Sequence, residues 1–553
     1  MLKRREYRPA QLLRRFEKAS IFLFALTSLG ILLINSGLTK STPAFSQANP
    51  TIYTQASAMP NQGWLPLRVY FSAYGSRSPD STIVRYEWDL DGNGRFDYDA
   101  TAEGGYASYL YSKSGEYTVS LRTTDARGQF NIDQVKIRVR HPASSSVDYW
   151  TVFDDSQVQR IQVDLTQTDW DRLWESPESK LMVKADATVF GEKLSEVGFR
   201  MRGQFSLRES GAKKPWKIDT DAYVAGQEFH NLRQLMLLNN IGDPSLLEEK
   251  LAYAMIEFAG LPASHVAFVE LWIDLTDDSQ PPIFWGVYSL VERVDNKYLA
   301  NRFGAESKGG NLYKASHAQR GPMDLIYYGD RIEDYPTQNG QSAYGKMNNE
   351  DENDYSDVID LCRVIDGTTY ASQAEFTQAL ESALNVDAFL RYMAVNVILD
   401  NWDSYPYTGN NYYLFDNPAT QRFEWIPWDL TWGENVETPL FQRSGPVLVQ
   451  RAPLYDRVFQ VDAYRSQYLA YVDLLLRYWF NTENITSLAQ QYQRQIAPSI
   501  TQSGGDKAFF GEQPMFPEEA FQDAWQNLIR FASEREAFLQ QALKTAGQEQ
   551  VQP

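Results

Sequence analysis

Hydrophobic and polar residues alternate with a period of two along residues 50–142, in short runs separated by Gly, Asp, Ser and Pro turns. Each run has the length and alternation of a half-buried β-strand. Short strands at this spacing are typical of a small all-β sandwich. The predicted strands are Leu67–Ser72, Ile83–Leu90, Tyr106–Tyr111, Tyr117–Thr123 and Phe130–Val139.

The pattern changes after a polar linker, His141–Ser146, and the second region runs from about residue 150 to 545. Alternating runs predict antiparallel strands as far as Glu292, and helical spacing dominates from Tyr355 onward. Asp243 precedes a proline and an apolar run of helical spacing, so we predict a helix that is capped by Asp243 and ends at Gly260. The second region is therefore an α+β domain, rich in strands first and in helices later.

One stretch of the second region, Asn396–Gly433, crowds Asp, Asn and Trp into the pattern of a β-hairpin. The strand-like runs are Tyr412–Phe415 and Phe423–Trp428. They predict a short antiparallel ribbon with one acidic turn before its first strand and a second acidic turn after its last. The two turns are expected to lie at neighbouring ends of the ribbon.

The acidic turns supply oxygen ligands only. If the ribbon closes, Asp403, either Asn410 or Asn411, and Asp429 converge on one hard cation. Carboxylate and amide oxygens suit magnesium or manganese. This stretch is therefore the candidate active site, with chemistry that suits phosphate groups.

Composition excludes several classes of protein. A chain of 553 residues exceeds what one hydrophobic core usually supports, and its formal net charge of -19 makes nucleic acid a poor partner. Cys362 is the one cysteine, so neither an intrachain disulfide nor a cysteine-based zinc site can form.

The N-terminal segment, residues 1–48, has a different composition from the rest. Seven Lys and Arg residues precede the apolar run Ile21–Ile34. This order predicts an export signal, either a signal peptide cut near Ala44–Ala48 or a membrane anchor. Both alternatives place the body of the protein outside the cytoplasm.

The first region, residues 50–142, closely resembles a PKD domain, an immunoglobulin-like sandwich. The resemblance rests on Tyr86–Gly92, Gly115–Val119 and Thr124–Gly128, which read YEWDLDG, GEYTV and TDARG. It implies a spacer, or a module that binds surface polysaccharide or protein. A turn within it places Asp89, Asp91 and Asn93 at alternate positions, as in a calcium loop without its closing Glu, so it is either a weak calcium site or a solvated turn.

The second region resembles the CotH family of atypical secreted kinases, named for a spore-coat protein. Several short motifs in the same order carry the resemblance. They are Gly198–Gly203, Lys213–Ile218, Asp243–Leu247, Trp285–Glu292, Gly310–Lys314, Asn401–Asp403, Asn411–Leu414 and Ile426–Asp429.

The resemblance implies a divergent protein-kinase-like fold that binds ATP with magnesium or manganese and phosphorylates Ser or Thr of proteins. Asp403 matches the catalytic aspartate, which would orient the attacking hydroxyl. Asn411 and Asp429 match the residues that hold the metal, which makes Asn411 a better candidate than Asn410.

Nucleotide contacts are expected from the strands that precede the hairpin. A polar loop followed by a strand with lysines predicts that Lys214, or else Lys217, pairs with phosphate, and we favour Lys214. Glu248 or Glu249 on the predicted helix would pair with that lysine. Glu292 would mark the hinge beside the adenine.

Three functions remain open from the sequence. The first is an exported kinase that acts on surface or matrix proteins and is held near its target by the PKD-like module. The second is a non-catalytic surface protein that uses a kinase-like scaffold for binding. The third is a glycoside hydrolase that uses Asp403 and Asp429 as a carboxylate pair.

Overall fold

The computed structural model describes residues 52–549 apart from 142–145, 210, 212, 431, 442–451 and 504–514. The predicted export segment lies outside the described residues. Within these ranges, no helix is both long enough and apolar enough to cross a membrane.

The first eight strands form a β-sandwich, and all five strands predicted for this region are present. They are β1 Ser57–Met59, β2 Gln62–Trp64, β3 Leu67–Ser72, β4 Ile83–Asp89, β5 Tyr98–Asp99, β6 Ala107–Tyr111, β7 Gly115–Asp125 and β8 Phe130–Arg140. One sheet has the order β1-β3-β6 and the other the order β2-β8-β7-β4-β5. Alternate side chains of the strands, including Phe71, Trp88 and Val119, form one shared core.

Seven strands then close into a barrel with four helices beside them. The strands are β9 Gln159–Leu165, β10 Val183–Val189, β11 Glu192–Met201, β12 Trp216–Asp219, β13 Gln234–Leu238, β14 Val266–Leu275 and β15 Ile283–Val291. The helices are α1 Ser146–Thr151, α2 Gln167–Glu175, α3 Phe205–Glu209 and α4 Glu248–Phe258. Aromatic side chains fill the barrel, and the Phe199 and Trp216 rings stack 4.5 Å apart. Because side chains alternate along β11 and β12, Arg200 and Lys217 face away from this core.

A four-stranded sheet follows the barrel and carries the predicted ribbon. The elements up to this ribbon are α5 Asn296–Phe303, β16 Leu312–Lys314, α6 His317–Arg320, β17 Thr337–Gln338, β18 Gln341–Ser342, β19 Gly345–Lys346, α7 Ser356–Asp366, α8 Gln373–Ala383, α9 Val386–Leu399, α10 Tyr405–Thr408, β20 Tyr412–Asn417 and β21 Arg422–Pro427. The sheet order is β19-β16-β20-β21, and Tyr412 pairs with Pro427. The antiparallel ribbon is confirmed, and both acidic turns lie at its same end.

Helices complete the second domain. They are α11 Pro453–Val458, α12 Asp462–Tyr478, α13 Thr482–Ser503 and α14 Glu518–Glu549. Helix α9 is buried along almost its whole length between β21, α4 and α12. It therefore delivers the first acidic turn from a rigid, central position.

Two local predictions differ from the structure. The helix predicted directly after Asp243 begins instead at Glu248, because Leu246 adopts a left-handed conformation with φ 60°. Asp243 still caps the helix from a distance, since its Oδ2 accepts a hydrogen bond of 2.9 Å from the amide of Glu248. The polar loop predicted ahead of the lysine-bearing strand contains the short helix α3.

The sandwich packs directly on the second domain. Asn61 Nδ2 donates to Asp387 Oδ2 over 2.9 Å, and the Tyr106 hydroxyl donates to Asp473 Oδ1 over 3.1 Å. Both acceptors belong to central helices, α9 and α12. The sandwich and the second domain therefore share an interface with partly buried side-chain hydrogen bonds.

Candidate active site

The first acidic turn begins where α9 ends. Asp400, directly after Leu399, takes a left-handed conformation with φ 53°, which turns the chain away from the helix axis. Its carboxylate accepts a hydrogen bond from the amide of Asn435 (3.0 Å) and another from the Thr438 hydroxyl (2.5 Å). These bonds fix the turn before it reaches Asp403.

Side-chain donors hold the Asp403 carboxylate. The Thr408 hydroxyl donates to Oδ1 over 2.8 Å. Asn411 Nδ2 donates to both Oδ2 and the backbone oxygen of Asp403, each over 3.0 Å. Asn410 Nδ2 lies 3.2 Å and 3.3 Å from the two carboxylate oxygens. The carboxylate is therefore held in one orientation by three neighbours from its own turn.

The two asparagines differ in whether the side-chain oxygen is available to bind a cation. The amide of His317 donates to Asn410 Oδ1 over 2.9 Å. No hydrogen bond from the described residues reaches Asn411 Oδ1. Asn411 thus uses its nitrogen to orient Asp403 and keeps its oxygen available as a ligand.

The second acidic turn places Asp429 two residues after β21. Its backbone is left-handed, with φ 52°, and its amide donates to the Tyr253 hydroxyl of α4 over 3.1 Å. The side chain is open to solvent, yet protein surrounds it closely. This crowding raises the pKa of the Asp429 carboxyl; the charge of Lys314 lowers it and that of Asp403 raises it. A carboxyl group whose pKa is raised by close packing and by a neighbouring charge is a candidate for a functional site.

Two cations lie beside Asp429. The Lys314 Nζ is 5.2 Å from the centre of the Tyr413 ring and 5.1 Å from that of Trp428, so it is held against two aromatic faces. Burial and then the repulsion of Arg202 lower the pKa of Lys314 to about 8, while Asp429 raises it. Burial also lowers the pKa of Arg202, against the attraction of Asp429.

Glu249 completes this group from helix α4. Burial and the charge of Asp429 raise its pKa well above the ordinary value, while Arg202 opposes that shift. Its Oε1 is buried and has no hydrogen-bond partner among the described residues. Arg202 is therefore attracted by two carboxylates, Glu249 and Asp429.

A wider group of basic residues interacts electrostatically with Arg202 and Lys314. Arg202 repels Arg200 and Lys180, and Arg293 repels Arg200, Lys217 and Lys314. In the described part of the chain, no ion pair joins a carboxylate to Lys180, Arg200, Arg202, Arg293 or Lys314. A protein of net charge -19 thus brings together several cations that have no ion-pair partner among the described residues.

Lys214 and Lys217, the two lysines predicted to contact phosphate, make polar contacts within the barrel region. Lys214 Nζ donates to the backbone oxygen of Leu207 over 2.7 Å, and Lys217 Nζ lies 2.8 Å from Asp219. Both bonds stay within the barrel and its adjoining loop. The assignments of Lys214 and Lys217 to nucleotide phosphates stay predictions.

Glu292 lies directly after the last barrel strand and pairs with Arg302 at 2.6 Å. Its Oε2 also accepts a hydrogen bond of 3.0 Å from the amide of His265. Burial raises its pKa to about 7, although Arg302 opposes the shift. Its role beside the adenine stays a prediction.

Sequence reasoning missed Arg202 and Lys314 as members of the site. Both stand inside motifs that carry the family resemblance, Gly198–Gly203 and Gly310–Lys314, and this was the available signal. Either Glu248 or Glu249 is expected to pair with Lys214, and that pairing stays a prediction; Arg202 is a cationic neighbour of Glu249 in the structure.

The acidic turn in the sandwich is held by its own backbone. Asp89 accepts hydrogen bonds from the amides of Gly92, Asn93 and Gly94 at 3.0, 3.1 and 2.8 Å. Asp91 accepts another from Asn93 at 3.1 Å. These Asx-type bonds use the oxygens that a cation would need, and calcium binding here stays a prediction.

A β-sandwich followed by a mixed α/β domain, with an Asp-Asn turn beside a second Asp, is the arrangement of a kinase-like protein with an added PKD domain. Comparison with protein families agrees. The family described as CotH kinase protein matches residues 199–539, more than half of the chain, and a PKD domain matches residues 48–139. The chain belongs to the CotH family and carries an N-terminal PKD domain.

Curated relatives are distant. The Inner spore coat protein H of Bacillus subtilis is 24% identical over 301 residues, covering 52% of this chain and 74% of the relative. The Invasin CotH3 of Rhizopus delemar is 19% identical over 361 residues, covering 63% of this chain and 55% of the relative. The chain thus spans about half the length of the invasin.

Among solved structures, the PKD1 domain of Vibrio anguillarum Epp is 28% identical, with a TM-score of 0.14. It covers 17% of this chain and 100% of that domain.

Proposed function

We propose that this protein is an exported, ATP- and metal-dependent kinase that phosphorylates Ser or Thr of surface or matrix proteins. One observation carries the proposal. The β20-β21 hairpin brings an Asp403 oriented by Asn411 and an Asp429 surrounded by cations to the same end of one ribbon.

Asp403 supplies the group that orients the attacking hydroxyl. Its carboxylate is held by Thr408, Asn410 and Asn411, so it needs no rearrangement to accept a hydrogen bond from a Ser or Thr side chain. Phosphoryl transfer depends mainly on such positioning and on charge neutralisation.

The residues present fit a magnesium or manganese ion. Asp429 offers a solvent-accessible carboxylate and Asn411 offers its Oδ1. The described residues include no group of three or more His, Cys, Asp or Glu side chains placed to hold a metal by themselves. Magnesium is commonly held by one or two carboxylates together with substrate phosphates, so this small set of ligands suits it. When bound, the metal would neutralise charge on the phosphates.

The cations around Asp429 favour a polyphosphate ligand. Arg202 and Lys314 interact electrostatically with the Asp429 carboxylate, and Arg200 and Arg293 in turn repel one or both of these cations. Their mutual repulsion is relieved by an anion of several charges, such as the triphosphate of ATP. Lys214 remains the alternative phosphate ligand drawn from the sequence.

The proposed place of action is outside the cytoplasm. The N-terminal sequence predicts export, and two relatives are named a spore coat protein and an invasin. We propose a protein acceptor at the cell surface or in the surrounding matrix, with the PKD domain available to bind surface polysaccharide or protein.

The direct test is autophosphorylation with labelled ATP and magnesium or manganese. Asp403→Asn and Asp429→Asn are expected to lower the labelling rate at least about a hundred-fold, because each removes a charge that acts in the transition state. Asp462→Asn, which changes an exposed aspartate at the start of α12, is the matched control and is expected to label like the wild type.

Equal labelling of wild type and Asp403→Asn would contradict the proposal. The non-catalytic alternative makes a separate prediction, because a scaffold that does not bind nucleotide shows no thermal shift with ATP and metal. A rise in melting temperature with ATP and metal that disappears in Asp429→Asn would exclude that alternative.

A further inference from the structure

We propose that the PKD sandwich is a positioning element for the candidate active site, and that it acts through Arg391 and the C-terminal end of helix α4. The inference rests on the proposed function where activity is measured. The second measurement, hydrogen exchange, depends on the structure alone. It assigns an internal role to a domain that the sequence assigns to spacing or external binding.

Arg391 joins the sandwich to the second domain. It lies on α9 and is 1% exposed. Its guanidinium donates to the backbone oxygen of Ala58 in β1 over 2.9 Å and to that of Ala259 over 3.0 Å. It also bonds to Asp387 and Tyr471. One buried cation therefore ties together a sandwich strand, the end of α4 and helices α9 and α12.

The sandwich makes further contacts with the end of α4. Gln62 Nε2 donates to the backbone oxygen of Gly260 over 3.0 Å. The rings of Tyr70 and Phe258 lie 5.7 Å apart. A Cβ placed on Gly260 would lie 2.9 Å from Asn61 Oδ1, so these two segments pack too closely for a larger residue at position 260.

Asn61 adds a link to Arg391 itself. Its Nδ2 donates over 2.9 Å to Asp387 Oδ2, the same oxygen that accepts from Arg391 Nε. This bond holds the partner that orients the guanidinium. Asn61 and Gln62 thus support the junction from adjacent positions of the sandwich.

Helix α4 carries this constraint to the candidate active site. The Tyr253 hydroxyl accepts the hydrogen bond from the Asp429 amide, and Glu249 lies one turn earlier on the same helix beside Arg202. A helix is stiff over this length, so fixing its C-terminal end fixes the height and rotation of both side chains.

The position of Asp429 depends on that support. Its backbone is left-handed, a conformation that Asp tolerates better than most residues other than glycine, and local contacts help to hold it there. The amide bond to Tyr253 is one of those contacts. Loosening α4 is therefore expected to release the second acidic turn.

The test uses the full-length double variant Asn61→Ala/Gln62→Ala and leaves Arg391 and the site intact. We expect faster hydrogen exchange at the amides of residues 258–261 and of Asp429, by on the order of ten-fold. The maximal autophosphorylation rate is expected to fall about ten-fold, with little change in half-saturating ATP, because small displacements of reacting groups cost rate.

The matched control is Asn131→Ala/Gln134→Ala. It removes the same residue types and two hydrogen bonds that stay within the sandwich, to Ile52 and Ser120. The control is expected to keep wild-type exchange at Asp429 and wild-type labelling, with a melting temperature close to that of the test variant.

Autophosphorylation and hydrogen exchange distinguish a failure of the proposed kinase activity from a failure of the positioning role. If the wild type does not label, the proposed kinase activity fails, and exchange at Asp429 alone decides the positioning role. Exchange at Asp429 equal to that of the control overturns that role. So does an active enzyme whose maximal rate is the same in both double variants.

Discussion

Asn411 and Asp429 both adopt left-handed backbone conformations, with φ 59° and 52°. Such conformations cost free energy in residues other than glycine, and each is held by a specific bond. Asn411 is tied to Asp403 through its side chain, and Asp429 is tied to Tyr253 through its amide. The two acidic turns are therefore set in place before any ligand arrives.

Lys314→Met is expected to weaken ATP binding by roughly ten-fold, because it removes one charged hydrogen-bond donor from the phosphate region. Lys314→Arg keeps the charge, and its ATP affinity is expected to lie between those of Lys314→Met and the wild type. Titration calorimetry with ATP and manganese measures the affinity. Lys184→Met, which changes an exposed lysine of β10 paired with Glu196, serves as the control. Identical affinities for Lys314→Met and the wild type would remove Lys314 from the site.

At the residue scale, separation along the chain determined which site residues could be predicted from the sequence. Asp403, Asn411 and Asp429 lie within one hairpin, so local pattern alone brought them together. Arg202 and Lys314 reach the same place from the end of β11 and from β16, and no local pattern records that approach. Membership of a motif marked both residues as notable without showing where they point.

At the scale of elements, helix α14 holds α9 in place. Arg535 is fully buried and donates to the backbone oxygens of Val397, Val436 and Thr438 at 2.6, 2.7 and 2.7 Å. Burial lowers its pKa to about 10, so it remains charged at neutral pH. It satisfies carbonyls at the end of α9 and in the segment that binds Asp400, next to the first acidic turn.

Arg535→Leu is expected to lower the free energy of unfolding by roughly 3 kcal/mol or more, since several buried carbonyl groups lose their donors. Urea titration measures the change. Arg530→Leu alters an exposed arginine of the same helix, and we expect a change within about 0.5 kcal/mol. A loss for Arg535→Leu no larger than that of the control would show that its bonds are replaced by water.

Strands and helices of clear period were predictable, and their assembly was not. The ribbon and the sandwich strands follow from alternation. Closure of the barrel depends on parallel pairing of β9 with β14, which lie about a hundred residues apart, and a period of two does not specify a partner. The start of α4 was misplaced because Leu246 takes a left-handed conformation that its side chain gives no reason to expect.

At the scale of the whole molecule, the charge is divided unevenly. The chain carries a net charge of -19, while Arg200, Arg202, Arg293 and Lys314 lie close enough to repel one another. A local positive field within an acidic protein attracts small anions to that place and repels extended polyanions from the rest of the surface.

The interface between sandwich and helices contains a titrating group, Asp473, whose carboxylate accepts bonds from Tyr106 (3.1 Å) and Ser72 (3.4 Å). Burial raises its pKa to about 6, so the folded protein binds this proton more tightly than the unfolded chain does. Its contribution to stability is therefore largest below about pH 4 and is lost as the pH rises to about 6.

Asp473→Asn should remove that loss and raise the free energy of unfolding at pH 8 by roughly 1 kcal/mol relative to wild type, with no gain at pH 4. Urea titrations at both pH values measure this, with Asp462→Asn on the same helix as control; a gain independent of pH would show that Asp473 is not the group that titrates.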